Sequence, residues 1–524
     1  MLLTLAFGAA VFVTASVHAV GPAGGGDAGE KRSIVPAGTA KGMKSGWAFE
    51  CTATSGGANT KLDCDDPFPN NEPNIVVDPA NPLHMIASSN DYGSCCDEYY
   101  TTFNGGNTWS TGNMSVSNPR KTGSDPVTAF DRKHGVALHA SLNYSFAPSG
   151  EACDGDVMVS QSFDGGLTWI KPNIVDDGVG CDLSKTQIFD DKEWIAVDNN
   201  PGSAHYGRAY VTWSSFLSHG GEYQSSAIME SYSDNGGKSW SPGKVISGSN
   251  PAICTFQLSG PAGQCDEDQG STIAIASDGT VYVAFFNEQN DALWEPGDSF
   301  ENQYLVVRSR NGGASWTSPR FVADLEDGTR DYPVNVDDRQ TLTGYQVRVW
   351  GLGNIAVAPN GTLYIVFSDN RDGVHDSDNP VTNSDVFITS STTSGDTWTA
   401  PTRVDTGAGD QWFPWVDVNP RTGTVGVLYN DRGASNGPTY TAALAEGLPG
   451  SFVKTTLSTA PANPTQSRFF QAGAPGCEHC ATFHGDYIGF AYGSDGHGNA
   501  VWTDQRDPSD VAGLFAQFIY FARK

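Results

Sequence analysis

The sequence contains five copies of one eight-residue motif, which reads SFDGGLTW at residues 162–169. The other copies are TFNGGNTW at 102–109, SDNGGKSW at 233–240, SRNGGASW at 309–316 and STTSGDTW at 391–398. An Asp or Asn that accepts from nearby backbone N–H groups, followed by a glycine with positive φ, predicts a tight turn between two strands. Successive tryptophans are 60, 71, 76 and 82 residues apart, which indicates an array of similar units. Because the turn satisfies its own polar groups, we expect it to be structural.

These motifs resemble the Asp-box (BNR) repeats of the sialidase superfamily, and we call them Asp-box turns. The resemblance implies a β-propeller fold. The same turn occurs in glycosidases, lyases and non-enzymatic binding propellers. The resemblance therefore predicts the fold and leaves the activity open.

Seven segments of β-branched and aromatic residues, bounded by Gly, Asn and Asp, are typical of the innermost strands of propeller blades. They begin at residues 74, 126, 193, 271, 354, 414 and 486. The sequence thus predicts an all-β propeller, with seven blades favoured over six and Asp-box turns between strands three and four. The last two blades lack an Asp-box turn, and the seventh ends at its third strand. We expect SIVPA at residues 33–37 to supply the missing strand and close the ring.

The composition limits the partners of the protein. A net charge of −29 over 524 residues would repel nucleic acid and anionic membranes, so an anionic glycan would need a local basic pocket. Residues 1–19 resemble a secretory signal peptide, residues 20–32 are predicted to be a disordered linker, and the propeller would occupy residues 33–524. No other segment is long and apolar enough to cross a bilayer. We expect a secreted monomer whose partner is a glycan or glycoconjugate.

Ten cysteines fit an oxidising compartment. Four pairs lie close in sequence and are predicted to be loop disulfides: Cys51 with Cys64, Cys153 with Cys181, Cys254 with Cys265, and Cys477 with Cys480. The segment Cys477-Glu-His-Cys480 would also suit half of a zinc site or a redox motif. The partners of the adjacent Cys95 and Cys96 remain unassigned.

Blade geometry sends the starts of the inner strands, and the loops between strands two and three, to one face around the central mouth. Three arginines on this face follow the second strands of consecutive blades: Arg371, Arg432 and Arg506. The sialidase resemblance implies an arginine triad that holds a substrate carboxylate, and the planar guanidinium suits this role. Each arginine also has acidic sequence neighbours, so the alternative is a repeated Asp–Arg pair that fixes the loop to its blade.

The resemblance further implies a tyrosine nucleophile activated by a glutamate, with an aspartate as acid/base. By loop position, the candidates are Asp486, Tyr487, Asp191 and Glu193. A cluster of carboxylates at this place would push their pKa values apart. The alternative is that the acids cap turns and the tyrosine packs on a neighbouring blade.

Two more residues at the mouth, Trp412 and His484, are candidate substrate-binding residues. Calcium is the one cofactor that the sequence suggests, because DSDNP at 376–380 and CDEDQG at 265–270 place several oxygens close together. We therefore expect a sialidase-like glycoside hydrolase acting on an acidic or complex glycan. The alternatives are a non-catalytic glycan- or protein-binding propeller and a polysaccharide lyase.

Overall fold

The structure is a computed structural model that describes residues 49–54, 57–63, 68–94, 96–117, 121–298, 300–376, 378–469, 481–509 and 512–524. These residues form seven antiparallel sheets and no α-helix. The innermost strands of successive sheets contact one another, and that of the seventh contacts that of the first. The protein is therefore a seven-bladed β-propeller, which confirms the predicted fold class and the favoured blade count. No helix in this part of the chain is long and apolar enough to span a membrane.

Each blade runs from an inner first strand to an outer last strand. The first blade comprises β3 Asn70–Asp78, β4 Asn81–Asp91, β5 Asp97–Thr102 and β6 Thr108–Asn113, with β1 Phe49–Thr54 added at its outer edge. The second comprises β7 Thr122–Asp131, β8 Val136–Phe146, β9 Ala152–Ser162 and β10 Asn173–Asp176. The third comprises β11 Thr186–Val197, β12 Ala209–His219, β13 Glu222–Ser233 and β14 Lys244–Val245.

The remaining blades follow the same order. The fourth comprises β15 Asp268–Ile275, β16 Val281–Asn287, β17 Gln303–Ser309 and β18 Arg320–Asp324. The fifth comprises β19 Ile355–Val357, β20 Leu363–Asp369, β21 Asp385–Ser391 and β22 Thr402–Arg403. The sixth comprises β23 Gln411–Val418, β24 Val425–Asp431, β25 Thr441–Gly447 and β26 Val453–Thr456, followed by a 3-10 turn at Pro464–Gln466. The seventh comprises β27 Gly489–Tyr492, β28 Gly498–Asp504, β29 Phe518–Arg523 and β2 Thr60–Lys61.

The seventh blade takes its outer strand from the N-terminal part of the chain. Thr60 pairs with Phe521 and Lys61 with Tyr520, in antiparallel register. The segment predicted for this role, residues 33–37, lies outside the described residues. Just before the strand, the Asn59 side chain binds Leu457 O at 3.0 Å and accepts from Thr459 N at 2.7 Å, so the segment also ties the seventh blade to the sixth.

The Asp-box turns join strands three and four in the first five blades. In the second blade, Asp164 Oδ1 accepts from Leu167 N at 3.1 Å and from Thr168 N at 2.9 Å, and Ser162 Oγ donates to Asp164 at 2.8 Å. Gly166 has φ +92°, where a Cβ would lie 2.6 Å from Ile86 of the first blade. The turn is thus satisfied by its own groups and packs against the preceding blade.

Two of the predicted disulfides are present, Cys153–Cys181 and Cys254–Cys265. Cys64, Cys95, Cys477 and Cys480 lie outside the described residues, as does the side chain of Cys51.

The inner strands of all seven blades line a central cavity of about 320 Å³, and Trp194 and Trp415 border it. The Trp194 and Trp415 rings, from the third and sixth blades, lie 5.0 Å apart between centroids. The Tyr487 ring of the seventh blade packs at 6.0 Å from Trp415 and 6.5 Å from Trp194. These three side chains form an aromatic layer at the centre of the propeller, and Lys192 lies against it.

Candidate active site at the mouth

The inner strands share a backbone irregularity near their first residues. Five of the seven blades have a residue with positive φ where the strand register shifts: Glu72, Asp125, Lys192, Gly270 and Phe413. A β-bulge of this kind changes the direction of its side chain, and the left-handed conformation costs a non-glycine residue about 1–2 kcal/mol. The sequence analysis missed this ring of bulges. Its one sequence signal is the proline that follows three of them, at 73, 126 and 414.

The best-connected acid at the mouth is Asp486. Arg348 binds it through both carboxylate oxygens, with Nε donating to Oδ1 at 3.0 Å. Its backbone N donates to Glu72 Oε1 at 3.0 Å. Gly485 precedes it at φ +89°, where a Cβ would lie 2.8 Å from the backbone N of Glu72. Burial raises the pKa of Asp486, and the charge of Arg348 opposes that rise.

Tyr487 lies beneath a buried cation. Lys192 Nζ is 3.7 Å from the centroid of the Tyr487 ring and 5.2 Å from that of Trp194. The Tyr487 hydroxyl and Lys192 Nζ have no hydrogen-bond partner among the described residues. Burial, with the nearby carboxylates of Glu72 and Asp125, raises the pKa of Tyr487 well above its usual value, so its hydroxyl stays protonated.

Asp191 and Glu193 flank the Lys192 bulge. Asp191 Oδ1 accepts from the backbone N of Lys192 at 2.9 Å. Glu193 is fully buried, and neither of its carboxyl oxygens has a hydrogen-bond partner in the described structure. Burial and the charge of Asp125 raise the pKa of Glu193 well above the usual range, which favours the protonated form of this acid.

The three predicted arginines each bind an aspartate: Asp369 and Asp504 end second strands, and Asp410 directly precedes β23. Arg371 binds Asp369, and Arg506 binds Asp504, both through two guanidinium nitrogens. These two pairs occupy equivalent positions, and each arginine packs on an aromatic ring of the third strand of its blade.

Arg432 pairs with Asp410 and not with its sequence neighbour Asp431. Its Nη1 donates to Asp410 Oδ2 at 2.7 Å and to Thr343 O at 2.9 Å, and only 3% of its side chain is exposed. Asp431 forms an ion pair with Lys454 instead. The arginines are therefore engaged in ion pairs that hold the strand ends.

Trp412 and His484 lie in the core beside the mouth. The Trp412 Nε1 donates to His484 Nε2 at 3.3 Å, and each residue is only 1% exposed. Burial lowers the pKa of His484 to about 3, so the imidazole is neutral. A ligand would contact either side chain only if the surrounding residues moved.

A cavity of about 180 Å³ opens between the fourth blade, residues 327–350 and Asp486. Phe286, Phe300, Tyr332 and Trp350 contribute aromatic surface to it. Its polar lining includes Glu267, Glu288, Asp327, Arg339 and the Arg348–Asp486 pair. Of the predicted catalytic residues, Asp486 is the one that lines this cavity.

Three acids of the cavity are buried carboxyls. Glu267 Oε2 accepts from the Tyr223 hydroxyl at 2.5 Å, and its Oε1 has no hydrogen-bond partner within the described ranges. Burial raises the pKa of Glu267 to about 8. Burial raises the pKa values of Glu288 and Asp327 well above their usual range. The charges of Asp327 and Glu267 raise the pKa of Glu288 further. The sequence analysis included Glu267 in the segment at 265–270 that it suggested for calcium, and it missed Glu288 because no motif marks that residue.

The two acidic segments suggested for calcium bind protein groups instead. Asp266 accepts from Gln257 at 2.7 Å and Gln289 at 2.8 Å, and Asp268 accepts from Asn287 at 2.8 Å. Asp376 Oδ1 accepts from Asp378 N at 2.9 Å. In the described structure, neither segment contributes to a group of three potential metal ligands.

Comparison with known proteins gives structural similarity alone. No family model matches the chain, and no curated protein is similar to it in sequence. Similar solved structures include a protein of unknown function from Dyadobacter fermentans DSM 18053, with TM-score 0.45, 12% identity and coverage of 78% of this chain and 96% of that one. The Hadza microbial sialidase Hz136 has TM-score 0.42, 13% identity and coverage of 81% and 79%. A PL25 ulvan lyase bound to -[GlcA(1-4)Rha3S]- has TM-score 0.45, 10% identity and coverage of 86% and 94%. Sialidases and a polysaccharide lyase are thus among the chains with a similar arrangement, while the propeller assignment rests on the strand pairing above.

Proposed function

We propose that the protein is a glycan-active enzyme and that hydrolysis of a glycosidic bond is the reaction its mouth cavity supports best. The observation that carries this proposal is Glu267, a buried carboxyl in the cavity wall with a pKa raised to about 8. At neutral pH such a group keeps its proton and can give it to a leaving oxygen. The aromatic surface of Phe286 and Trp350 suits the apolar faces of sugar rings.

Hydrolysis needs a proton donor and a nucleophile or base across the scissile bond. We assign the donor role to Glu267, which transfers its proton to the glycosidic oxygen as the bond to the anomeric carbon breaks. Water adds to that carbon, and its proton passes to a carboxylate, for which Asp486 is the candidate. Arg348 favours the ionised form of Asp486 and orients both of its oxygens.

The other predicted catalytic residues have supporting roles in this proposal. Tyr487 and Glu193 are buried beneath the mouth beside Lys192, whose charge lowers the pKa of Asp486. Asp191 holds the bulge that positions Lys192.

A glycan panel tests the proposal, with release of reducing sugar as the readout for hydrolysis and unsaturated product as the readout for a lyase. We expect sugar release by the wild-type protein that is lost in Glu267→Gln, while the protein still unfolds cooperatively. Glu222→Gln is the matched control, because Glu222 is an exposed residue at the start of the third strand of the third blade. Activity should fall as pH rises through about 8, since the acid then loses its proton. Full activity of Glu267→Gln would reject Glu267 as the donor.

A non-catalytic glycan-binding propeller is the second candidate. It is favoured by the three arginines, whose guanidinium groups bind Asp369, Asp410 and Asp504. Glycan binding by wild-type protein without product from any member of the panel would support this second candidate over the first.

We also propose that the chain is exported. Two disulfides are compatible with an oxidising compartment. Mass spectrometry of protein from its native host should find a mature chain that begins after Ala19. An intact residue 1 in that sample would contradict export through this signal.

A further inference from the structure

The loop between β16 and β17 and the segment at the end of β18 bring three acidic side chains together next to the cavity. Glu301 lies in the loop between β16 and β17, Asp324 ends β18, and Glu326 follows two residues later. Each of the three offers a carboxylate oxygen, and these oxygens all lie within 4.8 Å of one another. Oxygens bound to one Ca²⁺ at about 2.3–2.6 Å can lie no farther apart than about 4.6–5.2 Å, so this spacing is compatible with a shared ion.

Each of the three carboxylates has one oxygen without a hydrogen-bond partner in the described structure. Glu301 is 2% exposed, and although its Oε1 accepts from Glu295 N at 2.7 Å, its Oε2 has no hydrogen-bond partner among the residues described. The same holds for Asp324 Oδ1 and Glu326 Oε2. Buried carboxylates without a partner are costly, because they lose water and repel one another.

Arg371 forms its ion pair with Asp369 and not with any of these three carboxylates. Arg371 directs two of its guanidinium nitrogens to the carboxylate of Asp369 and donates through Nη2 to the backbone oxygen of Asp324 at 2.8 Å. Burial and mutual repulsion raise the pKa of Glu301 to about 9, of Glu326 to about 7 and of Asp324 to about 6. A divalent cation would relieve the same repulsion without protonation.

His375 borders the group from the fifth blade. Its Nε2 lies 2.8 Å from Asn370 O, a carbonyl that can only accept, so Nε2 carries a proton. Nδ1 therefore faces Glu295 Oε1 at 2.9 Å, Asp331 Oδ1 at 3.0 Å and Glu326 Oε2 at 3.9 Å. The imidazole thus closes one side of the carboxylate group with a fixed orientation.

We propose that Glu301, Asp324 and Glu326 bind a single divalent cation of the Ca²⁺ class, with Asp331 at the edge of the site. Three carboxylates and no nitrogen or sulfur form a ligand set that suits a hard cation, and water would complete the coordination. The ion would join the loop at 288–302 to the segment at 324–331.

The ligands alternate in sequence with residues of the cavity wall. Phe300 and Asn302 flank Glu301, and Asp327 follows Glu326, and all three line the cavity. Asn302 binds Asp327 twice, through its backbone N at 2.9 Å and its side-chain Nδ2 at 2.7 Å. The ion would therefore brace the wall in which the candidate substrate binds.

The test is calcium titration of the full-length protein after dialysis against EDTA, by calorimetry and thermal melting. We expect one Ca²⁺ per chain and a rise in Tm on the order of 3 °C at a hundredfold excess over Kd. Glu301→Gln should weaken Ca²⁺ binding by roughly tenfold or more. In EDTA, the same variant should melt at or near the wild-type temperature, because the amide oxygen can keep the hydrogen bond from Glu295 N and brings no charge into the buried group. A carboxylate with a purely structural role would give a lower Tm instead.

Asp291→Asn is the matched control, because Asp291 lies in the same loop but is exposed and its carboxylate accepts from the Thr255 hydroxyl; the variant should bind Ca²⁺ like the wild type. Absence of heat and of a Tm change up to millimolar CaCl₂ would overturn the proposal. Binding of Zn²⁺ but not Ca²⁺, lost in His375→Ala, would also overturn it. The readout is binding, so a failure to cleave any glycan leaves this test intact.

Discussion

Replacement of Arg506 by alanine distinguishes a structural arginine from a substrate-binding one. Arg506 binds both oxygens of Asp504, whose side chain is fully buried, and its Nη1 also reaches Asn59 at 3.2 Å and Thr459 at 2.9 Å. The change would leave a buried aspartate without its cation. It would also remove a contact to the segment that leads into β2, the strand that closes the ring.

The expected loss of stability is large. Breaking a buried ion pair by removing one partner costs about 3–5 kcal/mol. At roughly 2.1 cal/mol/K of unfolding entropy per residue, 1 kcal/mol shifts the Tm of a chain of this size by about 1 °C. We therefore expect Arg506→Ala to melt roughly 3–5 °C below the wild type, measured by scanning calorimetry at pH 7.

The double variant Arg506→Met with Asp504→Asn is the control. It removes both charges, so it should recover much of the lost Tm. The reasoning fails if Arg506→Ala melts within 1 °C of the wild type. If Arg506→Ala kept the wild-type Tm but lost glycan binding, Arg506 would be a substrate-binding residue, as the sialidase resemblance implies.

Three further perturbations follow from the fold. His484 keeps a pKa of about 3 in the folded protein and about 6.5 when unfolded, so between these values only the unfolded chain binds the proton and stability falls as pH falls. Urea unfolding should show that His484→Gln lowers this slope by about 1.4 kcal/mol per pH unit between pH 4 and 6, and an unchanged slope would contradict neutral burial. Replacing Cys153 and Cys181 by serine should cost roughly 3–4 kcal/mol in the same assay, and a change below 1 kcal/mol would refute a stabilising cross-link. Asp164→Ala should cost about 1–2 kcal/mol through lost turn hydrogen bonds, and no loss would mean that the turn forms without them.

The sequence predicted the elements that depend on local chemistry. The residues of an Asp-box turn bond one another, as Ser162 and Asp164 do, so the motif alone determines its geometry. The inner strands have alternating apolar residues, and counting them gave the correct number of blades. The rule that sorts loops by strand order predicted Asp486 at the mouth, and Asp486 lines the cavity.

The elements that depend on distant contacts were not predictable. The closing strand has only two residues, Thr60–Lys61, and no recognisable pattern. The segment at residues 33–37 has the higher β-propensity, so the sequence predicts that segment as the closing strand. Arg348 lies within residues 325–354, where few residues pair with a strand partner, and nothing in its neighbourhood indicates a pairing with Asp486. Glu267 and Glu301 have perturbed pKa values only because the folded chain buries them among other acids.

The pairing of β2 with β29 has a consequence for the order of events during synthesis. The first six blades take their core strands from consecutive stretches of chain, so each can form soon after it leaves the ribosome. Thr60 must wait for Phe521, and closing so long a loop carries a large entropy cost. We expect ring closure to be the last and slowest folding step, during which the outer edge of β29 stays open to pairing with other chains.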